Sequence, residues 1–222
     1  MTLKIAPSIL AVWDKTRGDT GEVVLAARNA LRAGADWVHV DVMDGHYVPA
    51  VTFGTEMVNA LQGVGVLDVH LMVESPENVV KSYLQAGADR IVFHPSASDD
   101  IGGVLQTIAD FGAVGGLALD VDEDVRWLEP WVENIDQTLI KQVLVMTVKA
   151  GAGGQTFRGD LLEKVNIVRR LVGPNVTVVV DGGVNAQNAR QCAAAGADCL
   201  VAGSAVFNAP DVAEAIAGLR AI

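Results

Sequence analysis

Apolar positions along this chain fall into short runs separated by longer amphipathic stretches. Eight runs, rich in β-branched and other apolar residues, read as strands: 3–10, 36–42, 66–72, 89–94, 114–120, 142–147, 176–181 and 198–202. Between them, stretches such as 21–33, 76–86, 160–172, 186–195 and 210–219 carry apolar residues at helical spacing. Most strand runs are continuously apolar, as expected of parallel strands covered on both faces. One phrase recurs: AGADWVHV at 33–40, AGADRIVF at 86–93 and AGADCLVA at 195–202. In each, the glycine can stop a helix and a strand follows at once. A helix–turn–strand unit is thus used at least three times.

Eight strands alternating with helices over 222 residues predict the α/β class and, within it, a closed parallel (β/α)8 barrel. No linker or shift in composition divides the chain, so residues 1–222 are expected to form a single domain. The competing architecture is an open doubly wound sheet, which normally places a glycine-rich turn after its first strand. Here the first strand runs into SILAVWDK, and the glycine-rich turns come late, after strands six, seven and eight.

The polar residues within the strands carry the chemistry. In a strand, positions i and i+2 share a face. His39, Asp41 and Met43 therefore point one way, and Val38, Val40 and Val42 the other. In the third strand His70 and Met72 share a face, and the seventh stays apolar until Asp181. All lie at or near the carboxyl ends of strands, the end at which such barrels build active sites. An uncompensated carboxylate there costs several kcal/mol. A divalent cation bound by His39, Asp41, His70 and Asp181 would balance the charge, and zinc, iron(II), manganese and cobalt all suit that donor set. A hydrogen-bonded structural His–Asp pair is the alternative for any one of these residues. Four at one end of three strands favour a site. His46 reads as surface, and His94 closes the fourth strand near the same rim. Met43, Met72 and Met146 are either site lining or core filling.

The late glycine turns suggest a second function. Gly151, Ala152, Gly153 and Gly154 follow strand six, Gly182 and Gly183 follow strand seven, and Gly203 and Ser204 follow strand eight. Consecutive loops of this kind can hold a phosphate through backbone N–H groups.

Composition narrows the partners. Half of the residues are hydrophobic, and the net charge of −11 argues against nucleic acid and anionic membranes. No stretch approaches the roughly 18 apolar residues of a membrane span. The two cysteines, Cys192 and Cys199, form no C-x-x-C pair, so a reducing, cytoplasmic setting is expected. They read as packing residues, and Trp127 and Trp131, at helical spacing, as core or interface. The acidic run 120–124 reads as a solvated helix cap, and Lys149 as a flexible cation in the loop after strand six.

Taken together, IAPSIL (5–10), HVDVMDGHYVP (39–49), DVHLMV (68–73), VMTV with the following glycine loop (145–155), VDGGV (180–184) and VAGSAVF (201–207) resemble the ribulose-5-phosphate 3-epimerase family over nearly the whole chain. The resemblance implies a TIM barrel with one divalent metal, an isomerase of the pentose phosphate pathway acting on a small phosphorylated ketose, and a homo-oligomer. It implies that His39, Asp41, His70 and Asp181 are metal ligands and that Asp41 and Asp181 are the acid/base pair. Ser8, His70 and the methionines 43, 72 and 146 would contact substrate, and the three glycine-rich loops would cradle its phosphate. The chain departs from the family pattern at Ala11-Val12-Trp13, Ala50, Asp120-Val121 and Lys149-Ala150-Gly151-Ala152. Those changes leave open a related substrate such as a hexulose 6-phosphate. A non-catalytic phosphosugar-binding barrel is a further alternative, as is a barrel decarboxylase, which would need a lysine where Met43 stands.

Overall fold

The computed structural model describes residues 2–132 and 139–221. Eight strands, β1 (Lys4–Pro7), β2 (Trp37–Met43), β3 (Val66–Met72), β4 (Arg90–Phe93), β5 (Val114–Leu119), β6 (Gln142–Met146), β7 (Thr177–Asp181) and β8 (Cys199–Ala202), form one parallel sheet. Their order is β1-β8-β7-β6-β5-β4-β3-β2. The two ends meet: Asp36 N–H donates to Ile5 C=O (2.9 Å) and Ile9 N–H to His39 C=O (3.1 Å). The result is the expected (β/α)8 barrel.

The barrel has the two predicted faces. Val38, Val40 and Val42 join the core between strands and helices, together with Leu67, Val69 and Leu71. A second apolar cluster, including Ala6, Val92, Ala118, Leu144, Val179 and Val201, fills the interior. The helix Thr20–Arg32 shows how the outer layer docks. Asp19 caps it by accepting from Glu22 N–H (3.1 Å), and Val23, Ala27 and Ala30 form its buried stripe.

The repeated AGAD phrase performs the same task three times. Gly34, Gly87 and Gly196 all adopt φ between 103° and 111°, a conformation costly for any residue with a Cβ. The aspartate that follows then reaches the neighbouring strand. Asp36 accepts from Ile5 N–H, Asp89 from Leu67 N–H and Asp198 from Val178 N–H, each at 2.8 Å. Helix stop and strand register are set by one four-residue phrase.

Some boundaries differ from expectation. The first strand ends at Pro7, not residue 10, because the Ser8 hydroxyl accepts from Leu10 N–H (3.3 Å) and a helix starts at Leu10. The segment 76–86 is a short 3₁₀ turn, Pro76–Asn78, followed by the helix Val80–Gln85. The helix expected at 186–195 spans only Ala189–Ala194, because Asn185 and Asn188 form a turn ahead of it. Cys192 and Cys199 are buried and unpaired. Trp131 packs on the core, whereas Trp127 is 41 % exposed. Among the described residues no helix is long and apolar enough to cross a membrane.

Candidate active and metal site

β2 supplies His39 and Asp41, β3 supplies Asp68, His70 and Met72, and β7 ends on Asp181. Parallel register sets Asp41 beside His70, Met43 beside Met72 and Met146 beside Asp181. One ligand atom from each of His39, Asp41, His70 and Asp181 lies within 4.8 Å of all the others. His39 Nε2 is 3.3 Å from Asp41 Oδ1 and 3.8 Å from Asp181 Oδ2. His70 Nδ1 is 3.6 Å and 3.9 Å from the same two oxygens. Both ring nitrogens are buried without a hydrogen-bond partner. Buried polar atoms are rarely left so. Two bare nitrogens and two carboxylate oxygens around one point fit a first-row divalent cation, and these four residues could hold one.

The cluster is oriented from behind. Asp68 Oδ2 lies 2.8 Å from His39 Nδ1, and Asp68 Oδ1 accepts from Gln142 Nε2 at 2.8 Å. Gln142 Oε1 in turn accepts from Arg90 Nε at 2.6 Å, and the Arg90 guanidinium stacks on Trp37 at 4.1 Å. Arginine can only donate, which fixes the Gln142 amide with its NH₂ toward Asp68. His39, Arg90 and Gln142 together keep Asp68 ionised, so that it can only accept and His39 donates its Nδ1 proton to it. On the other side, Ser8 Oγ donates to Asp41 Oδ2 (2.6 Å). Thr52 ties the end of β2 by donating to Asp41 C=O (2.5 Å) and accepting from Met43 N–H (2.9 Å).

The two aspartates are driven in opposite directions. Burial alone would raise Asp41, but the adjacent positive charge of His39 and the closeness of both imidazoles outweigh it and hold the carboxyl far below its usual range. Burial, then the charge of Asp41, pushes Asp181 up to about 7. Burial also lowers His70 to about 4, which keeps it neutral. For His39, burial is outweighed by Asp41 and Asp68, and its affinity for a proton rises well above normal. A cation at the cluster competes with that proton for Nε2.

A cleft of about 290 Å³ opens above the cluster. Ser8, Asp41, Met43, Met72, Met146 and Asp181 line it, with Gly151, Ala152, Gly153, Gly154, Gly182, Gly183, Gly203 and Ser204. His39 and His70 are fully buried and are not among the lining residues. Gly183 has φ +66°, and a Cβ there would lie 2.6 Å from Phe157 N and 2.8 Å from Gln155 O. The loops after β6 and β7 thus touch backbone to backbone, which only glycine allows.

Two expectations need correction. The run 120–124 is not simply solvated. Asp124 does cap the 3₁₀ turn Val125–Leu128, but Asp120 is buried and Glu123 hydrogen-bonds His94 Nδ1 at 2.8 Å. Nor is Lys149 free: it pairs with Asp120 (2.9 Å) and Asp122 (2.7 Å), because the loops after β5 and β6 meet at the rim. His46 is exposed, as expected, and His94 is buried with Nε2 2.9 Å from His70 Nε2. Asp68, Gln142, Arg90 and Glu123 were not anticipated. Asp68 alone had a visible signal, since it shares the inward face of β3 with His70.

Fold and cluster define a class: a (β/α)8 barrel with a two-histidine, two-aspartate centre at the carboxyl ends of its strands. The chain matches the ribulose-phosphate 3 epimerase family over residues 4–207. It is 42 % identical over 221 residues to a ribulose-phosphate 3-epimerase of Mycobacterium bovis, covering 97 % of this chain and 91 % of that one. It is 40 % identical over 223 residues to one from Escherichia coli K12, covering 97 % and 94 %. The chain belongs to the ribulose-phosphate 3-epimerase family, and its named relatives are isomerases. Among solved structures, a 3-hexulose-6-phosphate synthase superposes with TM-score 0.66 at 21 % identity, covering 100 % of this chain and 99 % of that one. KGPDC from Streptococcus mutans gives 0.72 at 14 %, covering 99 % and 96 %. At those identities the likeness is one of fold alone.

Proposed function

We propose that this chain interconverts D-ribulose 5-phosphate and D-xylulose 5-phosphate, with one divalent cation held by His39, Asp41, His70 and Asp181. The cation is zinc, iron(II), manganese or cobalt, and when bound it supplies Lewis-acid stabilisation of negative charge on the substrate oxygens. The observation that carries the reading is geometric: one ligand atom from each of His39, Asp41, His70 and Asp181 lies within 4.8 Å of the others, beneath a cleft that both aspartates line.

Inverting C3 beside a ketone requires removal of a proton from one face and delivery of another to the opposite face. Asp41, ionised and steadied by Ser8 Oγ–H, acts as base. Asp181, at the end of β7 on the other side of the pocket, acts as acid. They stand on strands three steps apart round the barrel, β7-β8-β1-β2, so they can approach the carbon from different sides. In the reverse direction the roles exchange. The intermediate is an enediolate. Met43, Met72 and Met146 give it an apolar, polarisable wall that keeps water from the carbanion-like carbon. Backbone N–H groups of residues 151–154, 182–183 and 203–204 hold the phosphate. Met43 replaces the lysine a barrel decarboxylase would need.

We further assign the protein to a reducing, cytoplasmic compartment, supported by its two buried free thiols, and expect it to assemble as a homo-oligomer. The test of function is conversion of ribulose 5-phosphate to xylulose 5-phosphate before and after chelation. Activity that chelation abolishes and one first-row ion restores is expected. No conversion with any of the four ions would overturn the reading.

A further inference from the structure

Behind His70 lies a second hydrogen-bonded chain, separate from the Arg90–Gln142–Asp68 chain behind His39. His70 Nε2 lies 2.9 Å from His94 Nε2, and His94 Nδ1 lies 2.8 Å from Glu123 Oε2. Two ring nitrogens at hydrogen-bond distance share one proton, so one of them must be bare. Which one is bare decides whether His70 Nδ1, facing Asp41 and Asp181, carries a lone pair or a proton.

We infer that Glu123, acting through His94, fixes the His70 proton on Nε2 and so keeps the Nδ1 lone pair turned toward the cation site. Glu123 and His94 are positioning residues of that site, and the inference rests on the cation reading above. An ionised carboxylate can only accept, so His94 Nδ1 carries a proton for it. With His94 Nδ1 turned to Glu123, His94 Nε2 is the atom placed to accept from His70 Nε2–H, and His70 Nδ1 is then left bare toward Asp41 and Asp181. Among the described residues that nitrogen has no hydrogen-bond partner, so it is open to a cation.

The surroundings commit Glu123 to this task. Its Oε2 accepts from Asp120 N–H (2.7 Å), and its Oε1 is buried without a hydrogen-bond partner. The nearby ammonium of Lys164 is spent on the carbonyls of Asp120, Val121 and Glu123, at 2.8–2.9 Å. It pins the loop and leaves the carboxylate to His94. The Tyr47 ring packs on His94 with centroids 4.8 Å apart, and His94 is fully buried. Exchange of its proton with water is thereby impeded.

The test uses the full chain, freed of metal and labelled with ¹⁵N-histidine. With only four histidines, long-range ¹H–¹⁵N spectra can report which nitrogen of each ring is protonated. Protons on His94 Nδ1 and His70 Nε2 are expected. A proton on His70 Nδ1, or two protons on His94, overturns the inference. Cobalt(II) titration of the unsubstituted protein, Glu123→Ala and Glu123→Gln gives a second readout. Glu123→Ala should lose 10- to 100-fold in affinity, on the order seen when a ligand's hydrogen-bond partner is removed. Glu123→Gln keeps an acceptor oxygen and should stay within a few-fold of the unsubstituted protein. Equal affinities for all three proteins overturn the inference. If the unsubstituted protein binds no cobalt(II), the cation reading fails, and the ring-proton spectra alone judge the relay.

Discussion

Asp68→Asn changes one buried atom and should disable the centre from behind. In the native chain Asp68 accepts twice, from His39 Nδ1–H and from Gln142 Nε2. An amide at this position has one acceptor and one NH₂, so it can satisfy only one neighbour. If the NH₂ faces His39, the ring must offer its lone pair at Nδ1 and move its proton to Nε2, the atom 3.3 Å from Asp41. A protonated Nε2 cannot ligate. If the NH₂ faces Gln142, that amide must flip and point its own NH₂ at Arg90, where two donors meet. The first outcome costs 10- to 100-fold in cation affinity, about 1.4–2.7 kcal/mol. The second leaves a buried donor unsatisfied, at about 1–3 kcal/mol. At about 2–4 °C per kcal/mol for a chain of this size, the metal-free variant should melt several degrees lower. Competition titration with cobalt(II) and a chelator measures the first effect, and calorimetry of the metal-free protein the second. An Asp68→Asn protein that matches the unsubstituted one in both affinity and melting would refute the argument that hydrogen-bond direction is fixed by Arg90.

The remaining predictions concern the acids and the glycine wall. Asp41→Asn and Asp181→Asn should each lower kcat by at least the roughly 10²- to 10⁴-fold of a lost general acid or base, measured by the isomer assay with the cation supplied. Metal-free stability should show the opposite sign for Asp181. Its folded affinity for a proton is raised, from 3.8 to about 7, so its contribution is complete below pH 4 and is lost as pH rises through 7. Metal-free Asp181→Asn should therefore be more stable than the unsubstituted chain at pH 8, by on the order of a few kcal/mol, and no more stable near pH 4. Urea midpoints at the two pH values check this. Gly183→Ala must move the backbone at Phe157 and Gln155, so it should raise KM several-fold and destabilise the fold by at least about 1 kcal/mol.

Much of this was legible in the sequence because period-2 alternation is a short-range signal. His39, Asp41 and Met43 share a face whatever the rest of the chain does, and the AGAD phrases carry their own helix stop. The end of β1 was misjudged because Ile9 and Leu10 are apolar enough to continue a strand. Only the Ser8 side chain, bonding two residues ahead, turns them into a helix. The supporting residues were invisible for a different reason. Gln142 is 74 residues from Asp68, and Glu123 is 29 from His94. Nothing local distinguishes a buried, paired glutamate within DVDED from a solvated one. Lys149 was likewise unreadable, because its partners lie on the preceding loop of the barrel.

The most direct measurement is hydrogen exchange at C3 of ribulose 5-phosphate in deuterated water, followed by NMR with the cation supplied. The mechanism predicts deuterium at C3 of both pentuloses, loss of that exchange on chelation, and loss again when Asp41 and Asp181 are both replaced by asparagine. Xylulose 5-phosphate formed with its original C3 hydrogen retained in full, or exchange that persists with both aspartates replaced, would contradict it.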